Sequence, residues 1–166
     1  MSVLKSKRKE SQFEVFHHLY QTRRKITALL LRDFGYKPAP AAPPEGLSPK
    51  ALERYNARRE QARAFETWFI LDQRACVMDC LREITKEVFM ANSIYPAQPE
   101  ELTQRRLCQD RAIGQLNRLL QELQYAMETL PVDVDKLLPT AEMIEQEIKL
   151  IKAWRKSDNK FKANFE

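Results

Sequence analysis

The chain has 166 residues, 43% of them hydrophobic, and a net charge of +5; this is about one domain's length with enough apolar material for a core, and it excludes a disordered or collagen-like chain. Only 3 glycines occur, which argues against sheets with tight hairpins and against Gly-rich phosphate loops. Outside one Pro-rich stretch, Leu, Glu, Gln, Arg, Lys and Ala dominate, and all are good helix formers.

Residues 1–10 read as a basic arm carrying Lys5, Lys7, Arg8 and Lys9. Ser11 and Glu14 then make an S-x-x-E capping box, a helix-start signal. The first helix is expected to run to about Asp33 or Phe34, with Gly35 as its C′ residue and Pro38 beyond. Phe13, Phe16, Leu19 or Tyr20, Ile26, Leu29 and Leu30 fall on its apolar stripe. Residues 37–49, KPAPAAPPEGLSP, are too rich in proline for helix or strand and predict a stiff, extended connector.

Ser48 and Pro49 supply an N-cap and an N1 proline for the second helix, expected to reach about Ala91. Its stripe is Leu52, Tyr55, Ala62, Phe65, Phe69, Cys76, Cys80, Ile84 and Val88. The stretch ERYNARREQAR at 53–63 is much more polar, so a break or a protruding first part is expected near Arg63–Glu66. Pro99 opens the third helix, about Pro99–Thr129, with Leu102, Ala112, Ile113, Leu116, Leu119, Leu120, Leu123, Met127 and Leu130 on its apolar face. Gly114 inside it costs about 1 kcal/mol relative to Ala, a cost usually explained by a close helix contact. The fourth helix starts near Pro139 and ends near Ser157, with Ile144, Ile148, Ile151 and Trp154 as its buried stripe. A polar tail follows, holding Phe161 and Phe165. The expected fold is all-α: an up-and-down four-helix bundle over residues 11–160, with a basic N-terminal arm, a Pro-rich connector at 37–49 and a tail at 161–166.

Positive charge gathers at both ends. Residues 1–37 hold nine basic and three acidic side chains, and residues 149–162 hold six basic groups against Asp158 alone. Lys152, Arg155, Lys156 and Lys160 are the first candidates for phosphate ligands. Arg23, Arg24 and Lys25 point in three successive helical directions, so at least one faces outward. With the arm they form either a phosphate-contacting surface or a solvated face. Arg105 and Arg106 sit near the start of the third helix, against its dipole, which favours a partner contact. Trp154 reads as a core or subunit-interface anchor rather than a base-stacking platform. Glu142, Glu145 and Glu147 read as a solvated face, since carboxylate di-iron bundles pair Glu with a His three residues on and this chain does not.

Cys76, Cys80 and Cys108 are an odd number of thiols without a signal peptide, which predicts a reducing, cytoplasmic setting and buried structural cysteines. Adjacent His17 and His18 diverge on a helix and do not share an ion, so no metal and no cofactor is expected. No stretch has the ~20 apolar residues that span a bilayer. There is no P-loop, nucleophile elbow or H-E-x-x-H.

Two stretches carry a resemblance. RRLCQDRAIGQLNRLLQEL and, after a short proline-containing turn, MIEQEIKLIKAWRKSDNK resemble the accessory variability determinant (Avd) family of diversity-generating retroelements. That family is related in shape to the four-helix proteins encoded in 23S rRNA intervening sequences. The likeness spans about residues 64–160. It rests on an R-x-x-x-Q-x-x-A-x-G-x-L pattern at Arg105–Leu116 and an I-x-x-x-I-x-x-I-x-x-W pattern at Ile144–Trp154. It implies a small basic four-helix bundle that assembles as a ring of five, binds a reverse transcriptase and structured template RNA, supports mutagenic cDNA synthesis and is not itself an enzyme. Two other readings stay open. A helical adaptor or oligomeric scaffold without nucleic acid would show salt-insensitive binding, and a metal-dependent bundle enzyme would carry stoichiometric metal.

Overall fold

The computed structural model describes residues 13–38 and 42–165. They form four helices: α1 (Glu14–Leu30), α2 (Pro49–Ser93), α3 (Pro99–Thr129) and α4 (Leu138–Ser157). Each helix packs on its neighbours in the order α1–α2–α3–α4–α1, which closes a four-helix bundle. Cross-helix partners set the directions. Phe16 stacks on Phe89 and Arg74 reaches Leu30, so α1 and α2 are antiparallel. Gln73 meets Glu122, Arg155 meets Asp110, and His18 meets Glu147, so every adjacent pair runs up and down.

The proline and capping signals place the helix starts. Ser48 Oγ accepts from the Ala51 amide at 3.3 Å, with Pro49 opening α2. At α3 the Glu101 carboxylate accepts from the amides of Ala97 (2.7 Å) and Gln98 (3.1 Å). Pro99 and Pro139 occupy first-turn positions, where no amide is missed. Ser11 lies outside the described residues, as do the arm 1–10 and part of the connector; α1 starts behind Phe13 with no side-chain cap. The helix also stops earlier than its pattern suggests. Asp33, Phe34 and Gly35 all take positive φ, 51°, 60° and 84°. Such backbone is costly for Phe34. It is held because Phe34 is buried in the core and because Arg74 donates to the Leu30 carbonyl (2.9 and 2.6 Å) and pairs with Asp33 (2.5 Å).

The core takes Leu19, Ile26 and Leu30 from α1, Val77, Cys80, Ile84 and Val88 from α2, Ala112, Leu116, Leu119 and Leu123 from α3, and Ile144, Ile148, Ile151 and Trp154 from α4. Leu19 rather than Tyr20 faces inward, and the α4 stripe is buried as its spacing indicates. The upper part of the α2 stripe is not. α2 runs unbroken for 45 residues, and no residue before Phe69 is buried. Leu52 and Tyr55 are half-exposed, and Ala62 and Phe65 are exposed. Periodicity continues there, but the other helices no longer bury the face; beside it lie Pro44 and Leu47 of the connector, which share an open groove with Arg54, Tyr55 and Arg58. The polar first half therefore protrudes without a break. The tail differs too: residues 158–164 form 3-10 turns that return Phe161 to the bundle, where it packs edge-on against Tyr95.

Two expectations about individual residues are corrected. Gly114 is exposed, and a Cβ built on it meets no atom within 4 Å, so no close helix contact explains it. Glu147 does not belong to a solvated face. Glu142 and Glu145 are exposed, but Glu147 is fully buried, with Oε2 2.7 Å from His18 Nδ1 on α1. Burial alone pushes its carboxyl up to about 8, so at neutral pH it holds its proton and shares a hydrogen bond with His18. The same burial pulls His18 below its ordinary value.

Two outcomes are expected. Gly114→Ala should stabilise the protein by about 1 kcal/mol, raising Tm by ~2–4 °C in thermal melts. The second concerns pH. Between 6.5 and about 8 the folded state keeps a proton on Glu147 that an unfolded chain has released, so stability falls as pH rises through that window. Below 6.5 the lowered His18 works in the opposite direction, its contribution growing with pH. Glu147→Gln keeps the shape without the ionisation, and its Tm should be flat across pH 6.5–8 where the parent declines.

Candidate nucleic-acid interface

α4 is amphipathic to its last turn, so burying Ile151 and Trp154 forces Lys149, Lys152, Lys156 and Lys160 outward. Across from them α3 presents Arg106, Asp110 and Ile113. Between the two helices lies an open groove of about 460 Å³, lined by Arg106, Asp110, Ile113, Lys152, Arg155, Lys156 and Asn159. Four cations face one carboxylate there. Arg155 grips that carboxylate with both arms, Nε at 2.8 Å and Nη2 at 3.0 Å from Asp110, so its charge is largely spent. Arg106 Nη2 donates to Asn159 Oδ1 at 2.5 Å. Lys152 and Lys156 have no ion-pair partner among the described residues and are exposed. Lys160 stands 5.2 Å over the Phe161 ring, just beyond the groove.

Arg105 is the clear correction. It is 8% exposed and lies inside the bundle rather than on a surface. Its Nε and Nη2 bind the two oxygens of buried Asp158 at 2.8 and 3.2 Å, while Nη1 donates to the carbonyls of Ala91 (3.1 Å) and Ile94 (2.7 Å). The guanidinium is flanked by Trp154 at 4.9 Å and Phe161 at 5.8 Å. Gln109 adds a hydrogen bond to Asp158 at 2.7 Å. Four of its five N–H donors are committed and the group is buried, so it is not presented to a phosphate. Trp154 is a core anchor, with Phe13 edge-on at 4.9 Å.

The cations of α1 are not brought to this groove. Phe13 lies beside Trp154, and α1 runs away from it, so Arg23, Arg24 and Lys25 sit some ten residues, about 15 Å, further along. Arg24 and Lys25 are exposed and Arg23 is half-buried. The arm residues expected to join them lie outside the described residues.

Among the described residues no group of His, Cys, Asp and Glu is placed to hold a metal ion, and no helix is long and apolar enough to cross a membrane. Cys80 and Cys108 are buried and Cys76 half-buried, all free thiols; burial pushes Cys80 up to about 11 and raises the other two, so they stay protonated. The outward face of α2 is a surface that the charge pattern did not single out. Phe65 and Trp68 are 50% and 59% exposed there. A heptad-spaced reading of 54–79 is the signal that finds it, because it joins Phe65, at the edge of the core stripe and stacked on buried Phe69, to Trp68, which lies off that stripe. Comparison with models of protein families, with curated proteins and with solved structures gave no match.

Arg105→Ala would leave Asp158 as an uncompensated buried charge. A loss of about 3–5 kcal/mol in urea unfolding is expected, and a loss below ~0.5 kcal/mol, as for a surface residue, would return Arg105 to the list of surface cations.

Proposed function

We propose that this protein is a non-catalytic RNA-binding bundle whose α3–α4 groove receives backbone phosphates. The supporting observation is the pair of exposed lysines, Lys152 and Lys156, at an open groove that Arg106 also lines. Phosphate contacts of this kind position a nucleic acid without reading its sequence. The narrower role, as accessory to the reverse transcriptase of a diversity-generating retroelement, acting on template RNA in the cytoplasm, rests on the likeness of α3 and α4 to the accessory variability determinant family. A second reading, a helical adaptor that binds protein, has the exposed aromatics of α2 in its favour.

The two readings separate on salt. RNA held through phosphates loses affinity linearly in log–log against salt concentration, whereas a protein partner held by apolar contacts does not. Reversing Lys152 and Lys156 to Glu should cut the salt slope for a structured RNA by about 2 or more and weaken binding uniformly across sequences. Arg155 is best left intact, because a carboxylate at that position would face Asp110. Helicity by circular dichroism should not change. Unaltered affinity with an unaltered slope would overturn the assignment of the groove.

A further inference from the structure

α2 carries a pattern that the RNA reading does not use. Residues 54, 58, 61, 65, 68, 72, 75 and 79 recur at alternating four- and three-residue steps, so they line one face of a single uninterrupted helix. All eight are exposed; the face flanks the core-facing residues Phe69, Gln73, Val77, Cys80 and Ile84, and Phe65 stacks on buried Phe69 at 6.0 Å between centroids. Along that face the chemistry is ordered. Arg54 and Arg58 stand at the upper end, Phe65 and Trp68 in the middle with their rings 5.8 Å apart, and Asp72 and Asp79 at the lower end. Arg54, Arg58 and Asp72 have no ion-pair partner among the described residues; Asp79 has only the neighbouring Arg82, on its own helix, at 2.5 Å.

We infer that this face is a self-recognition surface, on which a second copy of the chain packs its own α2 antiparallel about a two-fold axis. The ordering is what selects the occupant. With the axis crossing between Phe65 and Trp68, Phe65 comes level with the partner's Trp68 and Arg54 with the partner's Asp79. Arg58 comes level with the partner's Ala75, one turn from the partner's Asp72 and Asp79, within reach of an arginine side chain. Each contact occurs twice, as an isologous interface requires. A parallel pairing would instead stack Arg54 and Arg58 on their own copies and Asp72 on itself. Like charges at matched levels disfavour that arrangement. The aromatic centre with charged ends also has the anatomy of an interface, with anchors in the middle and a polar rim. The inference stands apart from RNA binding, since α2 lies diagonally across the bundle from α4.

The test is sedimentation of RNA-free full-length protein at micromolar concentration, with circular dichroism alongside. The parent should sediment as a dimer, twice the 19.5 kDa chain. Trp68→Glu should weaken association about thirtyfold or more, as loss of a central anchor does, at unchanged helicity because the residue is exposed in the single chain. Arg58→Glu should also dissociate the dimer, by setting a carboxylate at position 58 against the partner's Asp72, and so should Asp72→Arg. Combining the two should restore it. Residues 58 and 72 are 14 positions apart on one helix and do not touch each other within a chain, so that rescue arises only between copies. A parent that stays monomeric, an assembly such as a ring of five that ignores both single variants, or a double variant that remains dissociated would each overturn the inference.

Discussion

One guanidinium closes the lower end of this bundle. Arg105 binds Asp158 with two of its nitrogens and the last carbonyls of α2 with the third, between the rings of Trp154 and Phe161. A helix leaves its final four carbonyls without intrahelical partners. α2 has neither a basic residue in its last turn nor a glycine cap. It is served from the next helix instead, by a donor whose planar fork can satisfy several acceptors at once. The end of α2, the start of α3 and the end of α4 therefore meet at a single charged group, and the 3-10 turns after α4 are needed to bring Phe161 over it. The opposite end uses the same device. Arg74 of α2 donates to the terminal Leu30 carbonyl of α1 and pairs with Asp33, beside three residues of left-handed backbone. Two arginines from neighbouring helices thus do the capping that local sequence leaves undone.

This division explains what could be read from the chain in advance. Helix starts were legible because Ser48, Pro49, Pro99 and Pro139 act on their own first turns. The inner stripe of α4 was legible because Ile144, Ile148, Ile151 and Trp154 are covered along their whole length. Phe65 was misread for the complementary reason: periodicity states which residues share a face, not whether another helix lies opposite. Arg105 and Glu147 were misread because their partners are 53 and 129 residues away. A charge count treats each ionisable side chain as solvated, and only tertiary structure shows which ones are not. Glu147 sits between Ile144 and Ile148 on the buried side of its helix, so its register pointed inward even though its chemistry did not.

The candidate phosphate groove is what remains of the basic C-terminus after structural demands are met. Arg105 is consumed by Asp158 and Arg155 by Asp110, which leaves Lys152 and Lys156 as its exposed cations, beside a half-buried Arg106 that among the described residues is tied only to Asn159. A lysine is a compact, strongly hydrated charge with no preferred plane. A surface made of such groups suits a ligand recognised by shape and charge density along its backbone. It does not suit one read base by base. The buried Arg105 and Asp158, by contrast, are matched to specific partners, so this part of the interior is specified more sharply than the face offered to a partner.

The long connector and the lone half of α2 are tied together in length. Tyr36 is anchored to Glu66 by its hydroxyl, and the chain must then climb to Ser48, 18 residues further up α2. That climb is about 27 Å at 1.5 Å per helical residue. The 12 intervening steps reach at most about 40 Å when fully extended, and about 37 Å in polyproline geometry. The slack is only some three or four residues. Lengthening the helical spur by two turns therefore requires about three more connector residues, and trimming the connector beyond its slack would unwind α2 from the top. The reach of the spur is thus capped by the number of residues that join its tip to Tyr36 in the same chain.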